Sequence, residues 1–247
     1  MKLLAIDTTG ACSSAALNID GRIVQIINES EFSHLQKLIP TVDALLKQEA
    51  VEPSSLDAIA VSRGPGSFTG IRIGMATAKG LAQIWDKPII EVPTLASFAF
   101  RTYDFELDAD AVVCGVFDAK RHQIYGGAYH LFSDKSVIPD GAYDLDDYLE
   151  LLRGAKETFS KAVFFGDGVK VYEEGLKACG FDFEFAAEEH MMQTAEGVAR
   201  LGAKLFKEGK LADCFTAQPE YLRAAEAERK MAEKIKTDSV KYGTQQK

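Results

Sequence analysis

Long apolar runs, paired cysteines and paired histidines are what this sequence lacks. The opening run Leu3-Leu4-Ala5-Ile6 stops at Asp7, too short for a secretion signal, and no apolar stretch of about 18 residues follows. Cysteines stand singly at 12, 114, 179 and 214, without a C-x-x-C pair, which fits a reducing compartment better than a disulfide scaffold. Histidines 34, 122, 130 and 190 show no H-E-x-x-H or H-x-x-x-H spacing, so no metal site is expected. There is no G-x-S-x-G elbow for a serine hydrolase and no Walker loop ending in G-K-[ST]. Positive charge is also short: 28 Lys and Arg against 37 Asp and Glu leave −9. A chain that acidic does not neutralise phosphates well by itself, which argues against autonomous nucleic-acid binding. A cytoplasmic protein without membrane contact is expected.

What is present is ordinary globular material. The chain has 247 residues, 47% of them hydrophobic and 26% charged. That suits one large domain or two smaller ones and excludes wholesale disorder. Residues 3–8, 12–19 and 22–29 read as strands, the last two joined by the hairpin dipeptide Asp20-Gly21. In HLQKLIPTVDALLKQ the apolar period becomes helical, with Ser33 as a cap and Pro40 inside, where it should kink the helix or shift its start. A strand at 56–63, a glycine-rich turn, a helix to 85, a strand at 88–93 and a third helix from Thr94 complete the first half.

The pattern then restarts. Strands are expected at 111–119, 123–132, 161–166 and 183–186, with helices at DLDDYLELL, at GVKVYEEGLKAC and over 188–208. Asp7 and Asp118 each end a buried strand that turns straight into another, 111 residues apart. A two-lobed duplication explains this economically, with lobes at 1–107 and 108–223. The helix over 188–208 has the option of packing back on the first lobe. Residues 224–247 are charged and poor in large apolar groups, and read as an exposed, fraying helix.

Some segments suit chemistry, each with a plainer reading beside it. Asp7-Thr8-Thr9-Gly10 places a carboxylate before hydroxyls, a pattern for magnesium and phosphate that any tight hairpin also favours. Gly64-Pro65-Gly66-Ser67 leads into a helix whose N-terminus presents unpaired amides to an anion, or is simply a forced turn. Gly166-Asp167-Gly168 repeats that placement in the second half. The helix 67–85 has only Arg72, Lys79 and Gln83 as long polar side chains, while Gly70, Gly74 and Ala78 recur every four residues. Such a helix is buried on more than one side, against its own sheet and against either more of this chain or a partner.

The strings LLAIDTTGACSSAAL, IAVSRGPGSFTGIRIGMATAKGLA, VFDAKRHQIYGGAY, FFGDG and QPEYLR together resemble the bacterial TsaB (YeaZ) family, paralogous to TsaD/Kae1. The resemblance implies an α/β fold of the actin-like and Hsp70-like (ribonuclease H-like) class, two lobes of mixed sheet flanked by helices. It implies a non-catalytic scaffold needed to place threonylcarbamoyl on the tRNA adenosine beside the anticodon. TsaD would carry the transfer site and TsaE would supply an ATPase. TsaD-type proteins hold a metal with two histidines; here Thr94 and Phe98 stand at those positions, so no metal is expected. Where functional ATPases favour Asp-x-Gly, this chain has Asp118-Ala119-Lys120-Arg121.

The expected partner and homodimer surface is helices 33–48 and 67–85, through His34, Lys37, Thr41, Phe68, Gly70, Ile71, Gly74, Met75 and Ala78. A vestigial nucleotide site would use Asp7, Thr8, Thr9, Gly64, Gly66, Ser67, Asp118, Gly166 and Gly168, with weak binding of ATP or ADP with magnesium at a complex interface and no required cofactor. tRNA would be met only through the complex. The competing expectations are a standalone phosphotransferase or ATPase using Asp7 and Asp118, and an interaction module unconnected to tRNA.

Overall fold

A computed structural model describes residues 1–28, 34–101, 108 and 110–223. The expected lobe boundary near 107, the Ser33 cap and the tail 224–247 lie outside the described residues. Two five-stranded sheets share one plan. The first contains β1 (Lys2–Asp7), β2 (Ser13–Ile19), β3 (Arg22–Asn28), β4 (Ala58–Gly64) and β5 (Ile89–Pro93), in the order β3-β2-β1-β4-β5. The second contains β6 (Val112–Asp118), β7 (Gln123–His130), β8 (Ser136–Asp144), β9 (Ala162–Phe165) and β10 (Phe183–Phe185), in the order β10-β9-β6-β7-β8. In each, the leading strand pairs antiparallel with its hairpin partner and parallel with the first strand that follows a helix. The second sheet is the first one repeated, a two-lobed mixed α/β architecture.

The helices are α1 (His34–Gln48), α2 (Phe68–Trp85), α3 (Thr94–Phe98), α4 (Leu145–Gly154), α5 (Gly168–Lys177) and α6 (Ala195–Lys207). Pro40 lies inside α1 without ending it. Proline leaves the Gln36 carbonyl without its helical donor. The next residue, Thr41, turns its hydroxyl back to the neighbouring Lys37 carbonyl at 2.8 Å.

Strand parity divides the core. Leu4, Ile6, Ile59 and Val61 face α1 and α2, meeting Leu38, Leu45, Met75 and Ala78. Leu3, Ala5, Ala60 and Val92 face the other way, onto α3 and α6 and toward Val113, Phe117 and Phe165 of the second sheet. α6 follows the second lobe in sequence but lies on β1, β2 and β5 of the first. A separate cluster under α4 and α5 completes the second lobe.

The structure corrects the reading in three places. β8 was not expected, because Pro139 and Gly141 interrupt its alternation. The expected helix over 188–208 starts only at Ala195, after a single 3-10 turn at Glu188–His190. The carbonyls between are spent elsewhere: Met191 accepts from the Gly166 amide at 2.8 Å, and His190 and Met192 accept from Arg101 at 2.8 and 2.6 Å. The third helix is only Thr94–Phe98.

Candidate functional site

Between the lobes lies a cleft of about 630 Å³. Its first-lobe wall is the β1–β2 turn, Thr9 to Ala11, with the start of α2. Its second-lobe wall is Phe117 to Lys120, Tyr125 and Asp167, and Gln193 closes one side. Ser67 caps α2 by accepting from the Gly70 amide at 3.3 Å, so one of the helix's free donors is already used. Gly66 holds φ 154°, and a β-carbon there would stand 2.6 Å from the Thr9 carbonyl oxygen. The glycine lets the two first-lobe turns touch.

Of the nucleotide candidates, Thr9, Gly66, Ser67 and Asp118 line the cleft. The others do not. Asp7 is 1% exposed. One of its oxygens accepts from the Thr9 amide and hydroxyl, both at 2.9 Å, and the other accepts from the Ser62 hydroxyl. This carboxylate knots the turn to β4. Thr8 is also buried and donates to the Gly70 carbonyl at 2.6 Å. Gly64 packs under the Glu220 backbone, and Gly166 and Gly168 pack against the Val116 carbonyl. These glycines allow close backbone approach within the fold.

Asp118 is differently placed. It accepts from the Lys120 amide at 2.8 Å and from the Tyr172 hydroxyl at 3.2 Å, and its other oxygen meets the Lys120 ammonium at 2.5 Å. Burial pushes its pKa up, but the bonds and charge of Lys120 outweigh that and hold the carboxyl below its ordinary range. The bond to Asp118 in turn raises Lys120. Burial pushes Asp167 up, although it accepts from the Asp118 amide at 3.0 Å. A magnesium–nucleotide needs carboxylate oxygens free to face metal-bound water. Asp7 has committed its oxygens to the fold, and Asp118 already faces a cation, so this pair does not fit that group.

Sequence reasoning missed Thr69, Lys120, Tyr125 and Gln193 as cleft walls. Gln193, 4% exposed, donates to the Thr9 hydroxyl at 3.2 Å from 184 residues away, and no local pattern announces that contact. Thr94 and Phe98 lie in the core at the lobe junction. Thr94 accepts from the Gly64 amide at 3.2 Å, and Phe98 packs 5.4 Å from the Phe165 ring and 5.8 Å from Phe117. Among the described residues, no three His, Cys, Asp or Glu side chains gather as a metal would need.

The expected partner surface needs the larger correction. Gly70, Ile71, Gly74, Met75 and Ala78 form the inner face of α2, packed on its own sheet. A β-carbon on Gly70 would overlap the Thr8 carbonyl, and one on Gly74 would overlap the Thr8 hydroxyl. The small residues admit the β1–β2 turn rather than another chain. Thr41 is internal as well, accepting from the Asn28 side chain at 2.8 Å. Phe68 and Lys37 remain exposed, and the His34 side chain lies outside the described residues.

The outer face of α2 carries an apolar groove of about 370 Å³ lined by Phe68, Thr69, Arg72, Ile73, Ala76 and Thr77. At its head the Arg72 guanidinium lies 3.8 Å over the Phe68 ring and donates to the Tyr221 hydroxyl at 3.0 Å. Further along, Ile84 is 78% exposed. Among the described residues, no helix is long and apolar enough to cross a membrane.

The family model for TsaD, tRNA N6-adenosine threonylcarbamoyltransferase, matches residues 28–231. The tRNA threonylcarbamoyladenosine biosynthesis protein TsaB of Bacillus subtilis (strain 168) is 35% identical over 243 residues, covering 96% of this chain and 100% of that one. The Escherichia coli (strain K12) protein of the same name is 31% identical over 227 residues, covering 90% and 95%. YeaZ from Pseudomonas aeruginosa superposes with a TM-score of 0.69 at 27% identity, over 89% of this chain and all of that one. The sequence strings, the repeated sheet and these full-length relatives agree: the chain belongs to the TsaB (YeaZ) family, within the wider group that includes the TsaD transferases.

Proposed function

We propose that this chain acts in threonylcarbamoyl-adenosine modification of tRNA as a non-catalytic subunit that holds a TsaD-type transferase. Family membership carries the pathway. The observation that carries the subunit role is the contrast between cleft and helix: the two strand-end carboxylates are engaged within the fold, while the outer face of α2 is apolar and, among the described residues, uncovered. Burying such a face around an aromatic–arginine anchor is how protein partners are held. The same face would serve a homodimer when the transferase is absent, and a TsaE-type ATPase would join the pair. The chain requires no cofactor of its own. The work would take place in the cytoplasm, with tRNA met through the complex.

The test is Ala76→Glu, which places a carboxylate in the groove without touching the core. Assembly with the transferase should fall at least tenfold, modified adenosine in bulk tRNA should drop in cells relying on this variant, and the melting temperature should stay within a few degrees. Unchanged assembly would remove the outer face of α2 from the reading. The standalone phosphotransferase is not favoured by the engaged carboxylates. Magnesium-dependent ATP turnover by the purified chain near 1 s⁻¹, ordinary for an enzyme and lost in Asp118→Ala, would restore it.

A further inference from the structure

We infer that the outer groove of α2 receives an acidic side chain of the transferase, and that the Arg72 guanidinium is the group that takes its carboxylate. The inference rests on the reading of this chain as a transferase-holding subunit and names the chemistry the partner brings to that same face.

Arg72 is exposed, and its guanidinium is fixed before any partner arrives. It lies 3.8 Å from the Phe68 ring centroid and 5.7 Å from that of Tyr221, and those two rings stand 5.1 Å apart. Its Nε donates to the Tyr221 hydroxyl at 3.0 Å, across 149 residues of sequence. Tyr221 is itself held by the first sheet. The adjacent Glu220 amide donates to the Arg63 carbonyl at 2.7 Å, the Glu220 carboxylate pairs with the Arg63 guanidinium at 2.8 Å, and the Gln218 amide donates to the Glu91 side chain at 2.6 Å. Ordering a long side chain weakens association, and here the fold has already ordered it.

What this arginine lacks is an acid. The bond to Tyr221 uses one of five N–H donors and leaves the two terminal nitrogens; among the described residues no carboxylate pairs with them. Residues 68–85 contain no Asp or Glu, in a chain that carries −9 overall. The rest of the groove, Phe68, Thr69, Ile73, Ala76 and Thr77, is uncharged. A fixed guanidinium beside apolar surface selects a carboxylate, which it binds through two parallel hydrogen bonds while the apolar contacts keep water out. A phosphate polymer would ask for several cations in a row, and the groove has one. A second copy offering the same helix brings no acid, so the carboxylate comes from the transferase.

The experiment measures assembly of the full chain with its transferase at about 50 and 200 mM salt. Arg72→Met keeps an apolar stem and removes the charge; it should weaken assembly roughly thirtyfold and flatten the salt dependence. Arg72→Lys keeps the charge without the fork and should weaken it roughly tenfold. Tyr221→Phe removes only the hydroxyl that positions Arg72 and should weaken it roughly threefold, with no further loss when added to Arg72→Met. Arg72→Glu should be rescued about tenfold by reversing one acidic residue of the transferase to arginine. Wild-type assembly by Arg72→Met would overturn the inference, as would failure of every such reversal to rescue Arg72→Glu. Loss confined to the homodimer would overturn it too, by giving the arginine to a second copy, and so would loss of tRNA binding with assembly intact. The subunit reading fails separately: assembly untouched by both Ala76→Glu and Arg72→Met removes the face itself, whereas assembly broken by Ala76→Glu alone removes only the role of Arg72.

Discussion

The two lobes share strand order and differ in what their equivalent turns do. After β1 the turn is closed on itself: Asp7 spends its oxygens on Thr9 and Ser62, and Thr8 reaches the Gly70 carbonyl. After β6 the corresponding turn is open at the cleft, and Asp118 meets a lysine three-quarters or more exposed, at 80%. The same split appears in the helices that follow. α2 is pressed onto the β1–β2 turn through Gly70 and Gly74, while α5 meets β6 near its first residue, Gly168. A repeated fold therefore does not repeat chemistry. One copy of the strand-end carboxylate became a structural knot and the other an ion pair at the cleft wall.

The sharpest way to break this comparison is Gly74→Glu. The carboxylate would be forced into the Thr8 hydroxyl without a partner, a change expected to cost more than about 4 kcal/mol. The first lobe should unfold, read as loss of the thermal transition and of soluble protein. A folded variant that merely lost its partner would return this face to the interface and reverse the assignment made from burial.

Next comes the pair of strand-end substitutions. Asp7→Asn removes charge-assisted bonds and turns a donor toward the Thr9 amide, so it should destabilise by about 2–4 kcal/mol in chemical denaturation. Asp118→Asn loses an ion pair whose carboxylate is 8% exposed but whose lysine is 80% exposed and solvent-screened, and should cost about 1 kcal/mol. Equal costs would erase the distinction between closed and open turns.

The smallest effect tests the seam between lobes. Asp140 on β8 accepts from the Tyr129 hydroxyl at 2.5 Å, near the Arg63–Glu220 pair of the first lobe. Burial, reinforced by Glu220 and partly offset by Tyr129 and Arg63, pushes its carboxyl up to about 6. A raised folded value means that the protonated form is favoured in the native state. The associated stability is fully present below the ordinary aspartate range near 4 and is lost as pH rises through about 6. Asp140→Asn should therefore stabilise the protein by about 1 kcal/mol at pH 7.5, with the gain fading toward pH 4. A gain independent of pH would dissociate Asp140 from the seam.

Legibility followed the range of the interactions. The hairpin at Asp20-Gly21, the amphipathic α1 and the Ser67 cap are local, and their residues announced them. The extended run before α6 was read as helix because Ala195 to Lys207 continue a helical pattern, and nothing nearby reveals that Arg101 takes the carbonyls of His190 and Met192. Gln193 was invisible for the same reason. The glycine stripe of α2 was legible as a face needing close approach, but not as to what approaches it.

Spacing and composition alone determined two repeated halves, a buried α2 and the absence of paired metal ligands, since each is written in residue type and period, while the family came from the resemblance of whole sequence strings. Only the tertiary structure decided that the glycine face is internal, that Asp7 is sealed while Asp118 lines the cleft, and that the apolar groove lies on the other side of α2. Periodicity shows that a side chain must be buried; which surface buries it depends on contacts between residues far apart in the chain, such as Thr8 with Gly70 and Gly74.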